Sequence, residues 1–380
     1  MKPLLACVAF VVITAFAFGQ APPISQLFAF YCTPNYGTCP NGFQPGPGPI
    51  QLANGNLYGA TAYGDTGNGE GTVWQANLSG DVDALYTFQP NGSGQYPNGE
   101  IPSIGLVAGI DGNLYGVTAL GGANDDGVLY RLTTTGTQQV LYSFCSLSGC
   151  PDLPLPVVPG ADGNFYGITS GFVFQITPEG VWSKFYNFNL PSSEGNVLIA
   201  GTDGNLYGAA SIEPFGPRPK GVVFRLTTGG VYSVVHTFGK QQGAGVLTQS
   251  SNGTIYGVFA GLKSGIFQIN TAGKYKLVQT VTDPAYAPTL LVPGSDGNLY
   301  GLINNTQKEN YPGVVFAINS KRKTIFSEEL DCNTVGCYPI GLTEASDGNF
   351  YGLAFAGGTV SPGDIQNGTI FKVATGLKER

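Results

Sequence analysis

Acidic residues in the segments between repeats could cleave glycosidic bonds. That reaction needs two carboxyl groups about 5 to 9 Å apart, one acting as an acid and the other as a nucleophile or a base. No spacing in the sequence selects a pair, and a solvated loop acid is the alternative interpretation of each candidate. The candidates are Asp65, Glu70, Glu100, Asp125, Asp126, Glu194, Glu213, Glu309 and Asp364.

Histidine chemistry and metal chemistry are disfavoured. The single histidine, His236, replaces the tyrosine of a repeated Leu-Tyr-Ser-Phe segment, so we expect a packed imidazole and no serine triad. A repeated Asp-Gly-Asn segment offers one carboxylate per copy, whereas calcium takes six to eight oxygen ligands. Turn formation explains the residues of this segment, and we predict neither a metal ion nor a cofactor.

Aromatic residues outside the repeat could contact a ligand. Flat amphipathic rings on an uncharged loop surface suit stacking on sugars or contact with a protein. We predict that the ligand is a carbohydrate or an extracellular protein, bound by loop aromatics and loop acids. The predicted binding residues are Tyr63, Asp65, Tyr96, Glu100, Asp125, Glu213, Phe215, Tyr286, Tyr311, Tyr338 and Asp364.

An internal repeat must position these loops. The segment Asp-Gly-Asn-Leu-Tyr-Gly recurs seven times with small changes, and each copy is followed by a segment of glycine, any residue, an aliphatic residue and an aromatic residue. With an apolar run before it and a run ending in an aromatic residue after it, each unit contains four short strands. Four antiparallel strands every 41 to 57 residues are typical of β-propeller blades. The repeats are marked by Gly59, Gly116, Gly167, Gly208, Gly257, Gly301 and Gly352.

The ends of the chain predict how the ring closes. The seventh repeat stops near Arg380, where its fourth strand should begin, and a matching segment, 25–30, lies at the other end. We therefore predict an all-β, seven-bladed β-propeller of four-stranded antiparallel blades, closed by the N-terminal strand joining the C-terminal blade. The short turns should lie on one face and the variable loops on the other, which is where we expect function.

The first residues predict export. Lys2 and an uncharged apolar run over 3–18 are typical of a signal peptide, so we assign 1–19 to the signal and 20–380 to a single propeller domain. Six cysteines remain, for which fifteen pairings are possible. Short separations in an exported chain favour three neighbour disulfides over a zinc site. These are Cys32–Cys39, Cys145–Cys150 and Cys332–Cys337.

The composition excludes other classes of protein. With 58 Gly, 26 Pro and 11% charged residues, the chain does not suit long helices, whereas 42% hydrophobic residues can form a core. The formal charge of −7 disfavours nucleic acid and anionic membranes as partners. No second apolar run reaches the roughly 20 residues of a membrane span. We expect a secreted or periplasmic monomer.

The combined motif resembles a known bacterial repeat. Asp-Gly-Asn-[Leu/Phe]-Tyr-Gly, then Gly-x-Val-[Phe/Tyr] and Leu-Tyr-Ser-Phe, is similar to the GloVer (Gloeo/Verruco) tandem repeat over essentially the whole mature chain. This resemblance implies an extracytoplasmic propeller-like protein and transfers no catalytic residues. The units are more distantly similar to quinoprotein-type blades, but no quinone-site residues can be located.

These observations lead to three functional hypotheses. The first is an exported, non-catalytic binding module that presents variable, disulfide-stapled loops on one propeller face. The alternative is a polysaccharide-active hydrolase or lyase that uses carboxylates of the same face. The second alternative is a purely structural surface protein.

Overall fold

The computed structural model describes residues 24–33, 38–64, 70–102, 105–145, 156–169, 171–188, 195–212, 220–239, 242–261, 264–270, 272–281, 287–304 and 312–375. In these ranges the regular structure consists of 29 β-strands. The same ranges hold no helix with the length and hydropathy that crossing a membrane would require. The predicted signal segment, 1–19, lies outside them.

In the first four blades, the strands follow one another in chain order. Blade 1 contains β2 (Phe43–Pro45), β3 (Ile50–Gln51), β4 (Leu57–Tyr63), β5 (Thr72–Ala76) and β6 (Val82–Thr87). Blade 2 contains β7 (Leu106–Ala108), β8 (Leu114–Val117), β9 (Val128–Leu132) and β10 (Gln138–Ser143). Blade 3 contains β11 (Val158–Pro159), β12 (Phe165–Ile168), β13 (Phe172–Ile176) and β14 (Trp182–Asn187). Blade 4 contains β15 (Gly195–Ala200), β16 (Leu206–Ile212), β17 (Lys220–Leu226) and β18 (Tyr232–Thr237).

The last three blades complete the ring. Blade 5 contains β19 (Gln242–Gln249), β20 (Ile255–Gly261), β21 (Ser264–Ile269) and β22 (Tyr275–Val281). Blade 6 contains β23 (Pro288–Pro293), β24 (Leu299–Asn304), β25 (Gly313–Ile318) and β26 (Thr324–Glu329). Blade 7 contains β27 (Cys337–Glu344), β28 (Phe350–Ala356), β29 (Ile365–Val373) and β1 (Ile24–Cys32).

The topology confirms the predicted seven-bladed propeller and its closure. Within each blade, consecutive strands pair antiparallel, and we call them a to d in that order. In blade 7 the outermost strand d is β1, which pairs with β29 from Ile24 opposite Val373 to Cys32 opposite Ile365. A single parallel pair, Lys220 with Gln242, joins blades 4 and 5. Strand a of blade 1 is split into β2 and β3, which pair with the two ends of β4.

The repeated glycine and the repeated aromatic residue form a cross-strand pair. In blade 3, Gly167 of strand b lies opposite Phe174 of strand c, and the pairing recurs as Gly352 with Phe371 in blade 7. A Cβ on Gly167 would stand 2.5 Å from Cε1 of Phe174, far inside the usual carbon contact distance of about 3.5 to 4.0 Å. Strand b therefore carries glycine so that the ring can cross over its backbone.

Burial between blades holds the ring together. Seven apolar clusters of buried side chains each join two neighbouring blades. The cluster between blades 7 and 1 contains Phe30 of the closing strand together with Trp74 and Tyr351. Each such side chain contributes about 1.5 to 3 kcal/mol when fully buried. Closure by β1 is therefore a packing interaction as well as a strand pairing.

The Asp-Gly-Asn turns have a geometry that their sequence only partly predicts. In blade 2, Asp111 Oδ1 accepts from the Asn113 backbone N–H at 3.1 Å, and Asp111 Oδ2 accepts from the Tyr115 hydroxyl at 2.9 Å. Burial opposes ionisation, but the hydrogen bonds from Asn113 and Tyr115 outweigh it and lower the pKa of Asp111. Burial, followed by the bond to Asp111, raises the pKa of Tyr115 to about 12. The repeated tyrosine thus packs between blades and also ties the turn to strand b.

His236 is packed, as its position in strand d predicts. Its ring stacks on Tyr275 of the next blade, with centroids 4.3 Å apart and planes 9° from parallel. Burial lowers the pKa of His236.

Candidate binding face

The long loops emerge on one face of the propeller. The a–b and c–d turns are closed by backbone hydrogen bonds between residues three apart in the chain, such as Gly112 N–H to Gly109 O and Gly136 N–H to Thr133 O. Because the strands of a blade are antiparallel, the b–c and d–a loops lie at the opposite ends of the same strands. We call the surface formed by these loops the loop face and the opposite surface the turn face.

One aromatic pair on the loop face is tethered by a disulfide. Cys32, at the end of the closing strand, bonds to Cys39. Phe43 and Tyr63 stack beside this disulfide with ring centroids 4.9 Å apart, and the four side chains form one small cluster. Phe43 is buried, while the predicted binding residue Tyr63 is half-buried.

A second aromatic pair lies at the same end of blade 7. Cys332 bonds to Cys337, and the next residue, Tyr338, makes an edge-on contact with Phe355 at 6.3 Å between ring centroids. Tyr338 and Phe355 are each 39% exposed. Tyr338 has a φ of 55°, a left-handed conformation that is uncommon for a bulky residue. We call Tyr338 and Phe355 the exposed aromatic pair.

Phe355 was missed by sequence reasoning, although the repeat contains a signal for it. It follows the repeated glycine of strand b by three positions. Phe355 is the aromatic exception at this position, since the other six repeats have a small or polar residue there: Ala62, Ala119, Ser170, Ser211, Ala260 and Asn304.

Acidic side chains gather where blades 1 and 2 meet. Burial, and then the negative charge of Asp125, raises the pKa of Glu100. The Glu100 backbone N–H donates to the Leu120 carbonyl oxygen at 2.8 Å, and the Leu120 N–H donates to the Glu100 carbonyl oxygen at 3.1 Å. Asp125 has a φ of 61°, and its Oδ1 accepts from the Gly121 backbone N–H at 3.1 Å. The Glu100–Leu120 bridge and the Gly121–Asp125 bond thus place these two acidic residues on adjoining loops, the d–a loop before blade 2 and the b–c loop within it.

Two further side chains extend this group. Burial, and then the charges of Glu100 and Glu70, raises the pKa of Tyr96. Glu70 is only 6% exposed, and in the described part of the chain its Oε2 atom is buried without a hydrogen-bond partner. We call Glu70, Tyr96, Glu100 and Asp125 the acidic group.

The segment around β2 lies between the exposed aromatic pair and the acidic group. A Cβ on Gly368 of blade 7 would lie 2.8 Å from Pro45 Cδ and 2.9 Å from the Phe355 carbonyl oxygen. At the other end of the segment, a Cβ on Gly105 of blade 2 would lie 3.7 Å from Pro47. The exposed aromatic pair and the acidic group therefore flank blade 1 on the same face.

The structure brings together some of the predicted binding residues. Tyr96, Glu100 and Asp125 meet in the acidic group, whereas Tyr63 and Tyr338 belong to different aromatic pairs. Asp364 lies in the b–c loop of blade 7. The other predicted residues lie outside the described part of the chain, namely Asp65, Glu213, Phe215, Tyr286 and Tyr311.

Two of the three predicted disulfides are present in full, Cys32–Cys39 and Cys332–Cys337. Cys145 is also disulfide-bonded. Its predicted partner, Cys150, lies outside the described residues. In the described ranges, histidine, cysteine and acidic side chains form no group of three or more that could hold a metal ion.

Comparisons with known proteins support the fold and identify the family. The extracellular domain of a protein described as a hybrid two-component system from B. thetaiotaomicron matches with a TM-score of 0.56 and 10% identity, over 91% of this chain and 40% of that chain. A second structure of that kind from the same organism gives a TM-score of 0.54 at 10% identity, over 90% and 40%. A gluconolactonase from Xanthomonas campestris matches with a TM-score of 0.43 and 12% identity, over 92% and 88%.

This chain thus spans 40% of the length of the two extracellular domains. No curated protein sequence matches it. The model of the Gloeobacter/Verrucomicrobia repeat matches twice, over residues 27–199 and 194–379. The chain therefore belongs to the Gloeobacter/Verrucomicrobia repeat family.

Proposed function

We propose that this protein is an exported, non-catalytic binding module whose loop face binds carbohydrate. The observation that carries the proposal is the exposed aromatic pair, Tyr338 and Phe355, placed directly after the Cys332–Cys337 disulfide. Disulfides persist in oxidising compartments, which supports a secreted or periplasmic location.

The exposed aromatic pair has the properties of a sugar-stacking site. Two large rings remain partly in water on a face whose neighbouring loops are rich in glycine, proline and asparagine. Aromatic rings present a flat apolar surface, and Tyr338 adds a hydroxyl group that can form hydrogen bonds. The disulfide limits the movement of Tyr338 before binding, so less conformational entropy is lost when a ligand is bound.

The test is an affinity measurement on a panel of neutral polysaccharides and oligosaccharides, made by calorimetric titration. We expect Tyr338→Ala and Phe355→Ala each to weaken binding about tenfold, which corresponds to about 1.4 kcal/mol. A matched control is Ile110→Ala, because Ile110 is 81% exposed on the turn face and should not affect binding. Wild-type affinity in both aromatic variants would refute the proposed site. Failure of the whole panel to bind would favour a protein ligand or a structural role.

A second candidate is a polysaccharide hydrolase or lyase, and one observation favours it. Burial and the charge of the neighbouring Asp125 raise the pKa of Glu100, and two carboxyl groups on facing loops are the groups that glycoside hydrolysis uses. Product analysis on every polysaccharide that binds decides between the two. New reducing ends or unsaturated products that disappear in Glu100→Gln would establish the enzyme, and binding without products would exclude it.

A further inference from the structure

The outer turns of blades 5 and 6 carry a cluster of positive charge on the turn face. The c–d turn and the start of strand d contribute exposed lysine and arginine side chains in both blades. Residues 270–281 and 319–327 contain no Asp or Glu. Within the part of the chain that the structure describes, these cations form no ion pair. We call Lys274, Lys276, Lys321, Arg322 and Lys323 the basic patch.

A hydrogen bond holds the two turns of the basic patch together. Arg322 Nη1 donates to the Leu277 carbonyl oxygen at 3.3 Å, across the boundary between blades 5 and 6. Leu277 directly follows Lys276, and Arg322 lies between two lysines in the sequence. The cations of both blades therefore lie on one continuous surface. Lysine and arginine are protonated at neutral pH, so the whole patch is positively charged.

Arg322 is an exception among the c–d turns. In blades 1 to 5 the residue at this turn position is a glycine with positive φ, such as Gly136 at 89° and Gly273 at 80°. Arg322 takes the same position with a φ of 67°, and its N–H closes the turn on the Asn319 carbonyl oxygen at 2.7 Å. A bulky residue is uncommon in the left-handed region, and such residues cluster at functional sites. Turn formation favours glycine and does not explain the arginine.

Turn formation does not explain the lysines either. Lys274 and Lys276 of blade 5 occupy the positions that acidic residues occupy in blade 1. These acidic residues are Asp81 and Asp83, and the two blades have the same register between strands c and d at this point. The outer turn therefore forms with either sign of charge. The positive charge is a local property of this edge of the propeller, and it complements an anionic partner.

We propose that the basic patch is a second binding site, on the turn face, for an anionic polysaccharide. The patch lies on the opposite surface from the exposed aromatic pair, so the inference does not depend on the proposed loop-face site. Cations spread over two turns suit a chain with a negative charge on each sugar unit, because several weak contacts then act together. Exposed acids elsewhere on the turn face, such as Asp81 and Glu179, would repel a flat anionic surface, whereas a chain can contact blades 5 and 6 alone.

The experiment compares a charged oligosaccharide with its neutral ester. An α-1,4-linked galacturonate octamer and its fully methyl-esterified counterpart are titrated into the full chain at neutral pH and low ionic strength. We expect the charged octamer to bind more tightly by about tenfold or more, and the difference to shrink as salt is added. One double variant replaces Lys274 and Lys276 by glutamine, and the other replaces Lys321 and Lys323. Each should weaken binding of the charged octamer about tenfold, since each exposed pair contributes a factor of about two to five.

Two further variants distinguish binding from packing. Arg322→Gly introduces the residue that the other c–d turns carry, so it should weaken binding of the charged octamer about two- to fivefold without lowering the midpoint of urea unfolding. The matched control, Lys184→Gln, removes an exposed charge from the outer strand of blade 3 and should leave the affinity unchanged. A lower midpoint with unchanged affinity in Arg322→Gly would overturn the binding role of Arg322 and leave it as a contact between blades.

The outcomes separate this inference from the proposed function. Tyr338→Ala should leave the affinity for the charged octamer unchanged, and loss of binding in this variant would move the octamer to the loop face and overturn the turn-face site. Equal affinity for the two octamers, or wild-type affinity in both lysine double variants, would overturn the basic patch as a site and leave the loop-face proposal standing. Tighter binding of oligoglutamate of equal charge would replace the polysaccharide with an acidic peptide. Tighter binding of phosphatidylglycerol vesicles would replace it with a membrane surface.

Discussion

Replacing Gly167 by alanine tests whether the repeated glycine makes room for the repeated aromatic ring. The φ of Gly167 lies outside the left-handed region, so alanine can adopt its backbone conformation. The added Cβ would lie 2.5 Å from Cε1 and 2.9 Å from Cε2 of Phe174. Phe174 is fully buried and cannot move away without displacing its neighbours between blades 2 and 3. Any destabilisation should therefore come from steric overlap with this ring.

The expected magnitude follows from overpacking. Forcing one extra carbon into a packed site typically costs about 1 to 3 kcal/mol, so we expect Gly167→Ala to destabilise the protein by about 2 kcal/mol. In a Phe174→Leu background the ring atoms at the contact are absent, so the same alanine should cost less than about 0.5 kcal/mol. It could even stabilise the strand, because glycine inside a strand costs about 0.5 to 1 kcal/mol relative to alanine. The coupling energy between the two sites should be about 1 to 3 kcal/mol.

The assay is equilibrium urea unfolding of the wild type, both single variants and the double variant, followed by intrinsic fluorescence. A change of midpoint at a constant slope reports a change of stability. Gly171→Ala is the matched control in the same blade, because a Cβ there would meet no atom within 4 Å. Equal destabilisation by Gly167→Ala in both backgrounds would refute the steric explanation of the repeat.

Three further predictions concern closure, pH dependence and the disulfide next to the exposed aromatic pair. Phe30→Ala should cost about 3 to 5 kcal/mol in the same unfolding assay, because this buried ring of β1 packs against Trp74 of blade 1; an unchanged midpoint would contradict closure by packing. Burial opposes ionisation of Asp347, but hydrogen bonds from Asn349, Tyr351 and Lys372 outweigh it and lower the pKa of Asp347 to about 2. The stabilisation by the ionised carboxylate is therefore present above about pH 4 and is lost as the pH falls through about 2. Asp347→Asn should therefore flatten the loss of stability between pH 4 and pH 2, and an unchanged profile would refute this. Replacing Cys332 and Cys337 by serine should weaken carbohydrate binding a few-fold while the circular dichroism spectrum is retained, because Tyr338 must then be ordered on binding.

Asn54 and Asn252 show why Asp347→Asn is a mild change. They occupy the same turn position in blades 1 and 5, and each accepts a backbone N–H two residues later, at 3.1 Å and 3.0 Å. In blade 1, Asn54 Nδ2 also donates to the Tyr58 hydroxyl at 2.8 Å. The turn therefore forms with either residue, and the variant changes mainly the titrating charge.

Several features of the loop face could be predicted and others could not. The loops were assigned to one face because every turn between strands a and b, and between c and d, is short and repetitive. Tyr338, Tyr96 and Glu100 belong to the predicted set because they are aromatic or acidic residues outside the repeat, and their binding role stays a prediction. Their partners were not predicted, since Phe355 lies within a repeated strand and Glu70 had no feature that separated it from other loop acids.

The sequence by itself determined the blade count, the four-stranded unit, the closure by the N-terminal strand and the disulfides Cys32–Cys39 and Cys332–Cys337. It could do so because these properties depend on local signals that recur along the chain, such as turn residues, strand patterns and short cysteine separations. The tertiary structure alone decided that Gly167 lies under Phe174, that Tyr115 bonds to Asp111, and that Glu100 pairs with Leu120 of a neighbouring loop. Those contacts depend on how strands pair and how neighbouring blades pack, and loop residues from two blades have no periodic pattern that would reveal their proximity.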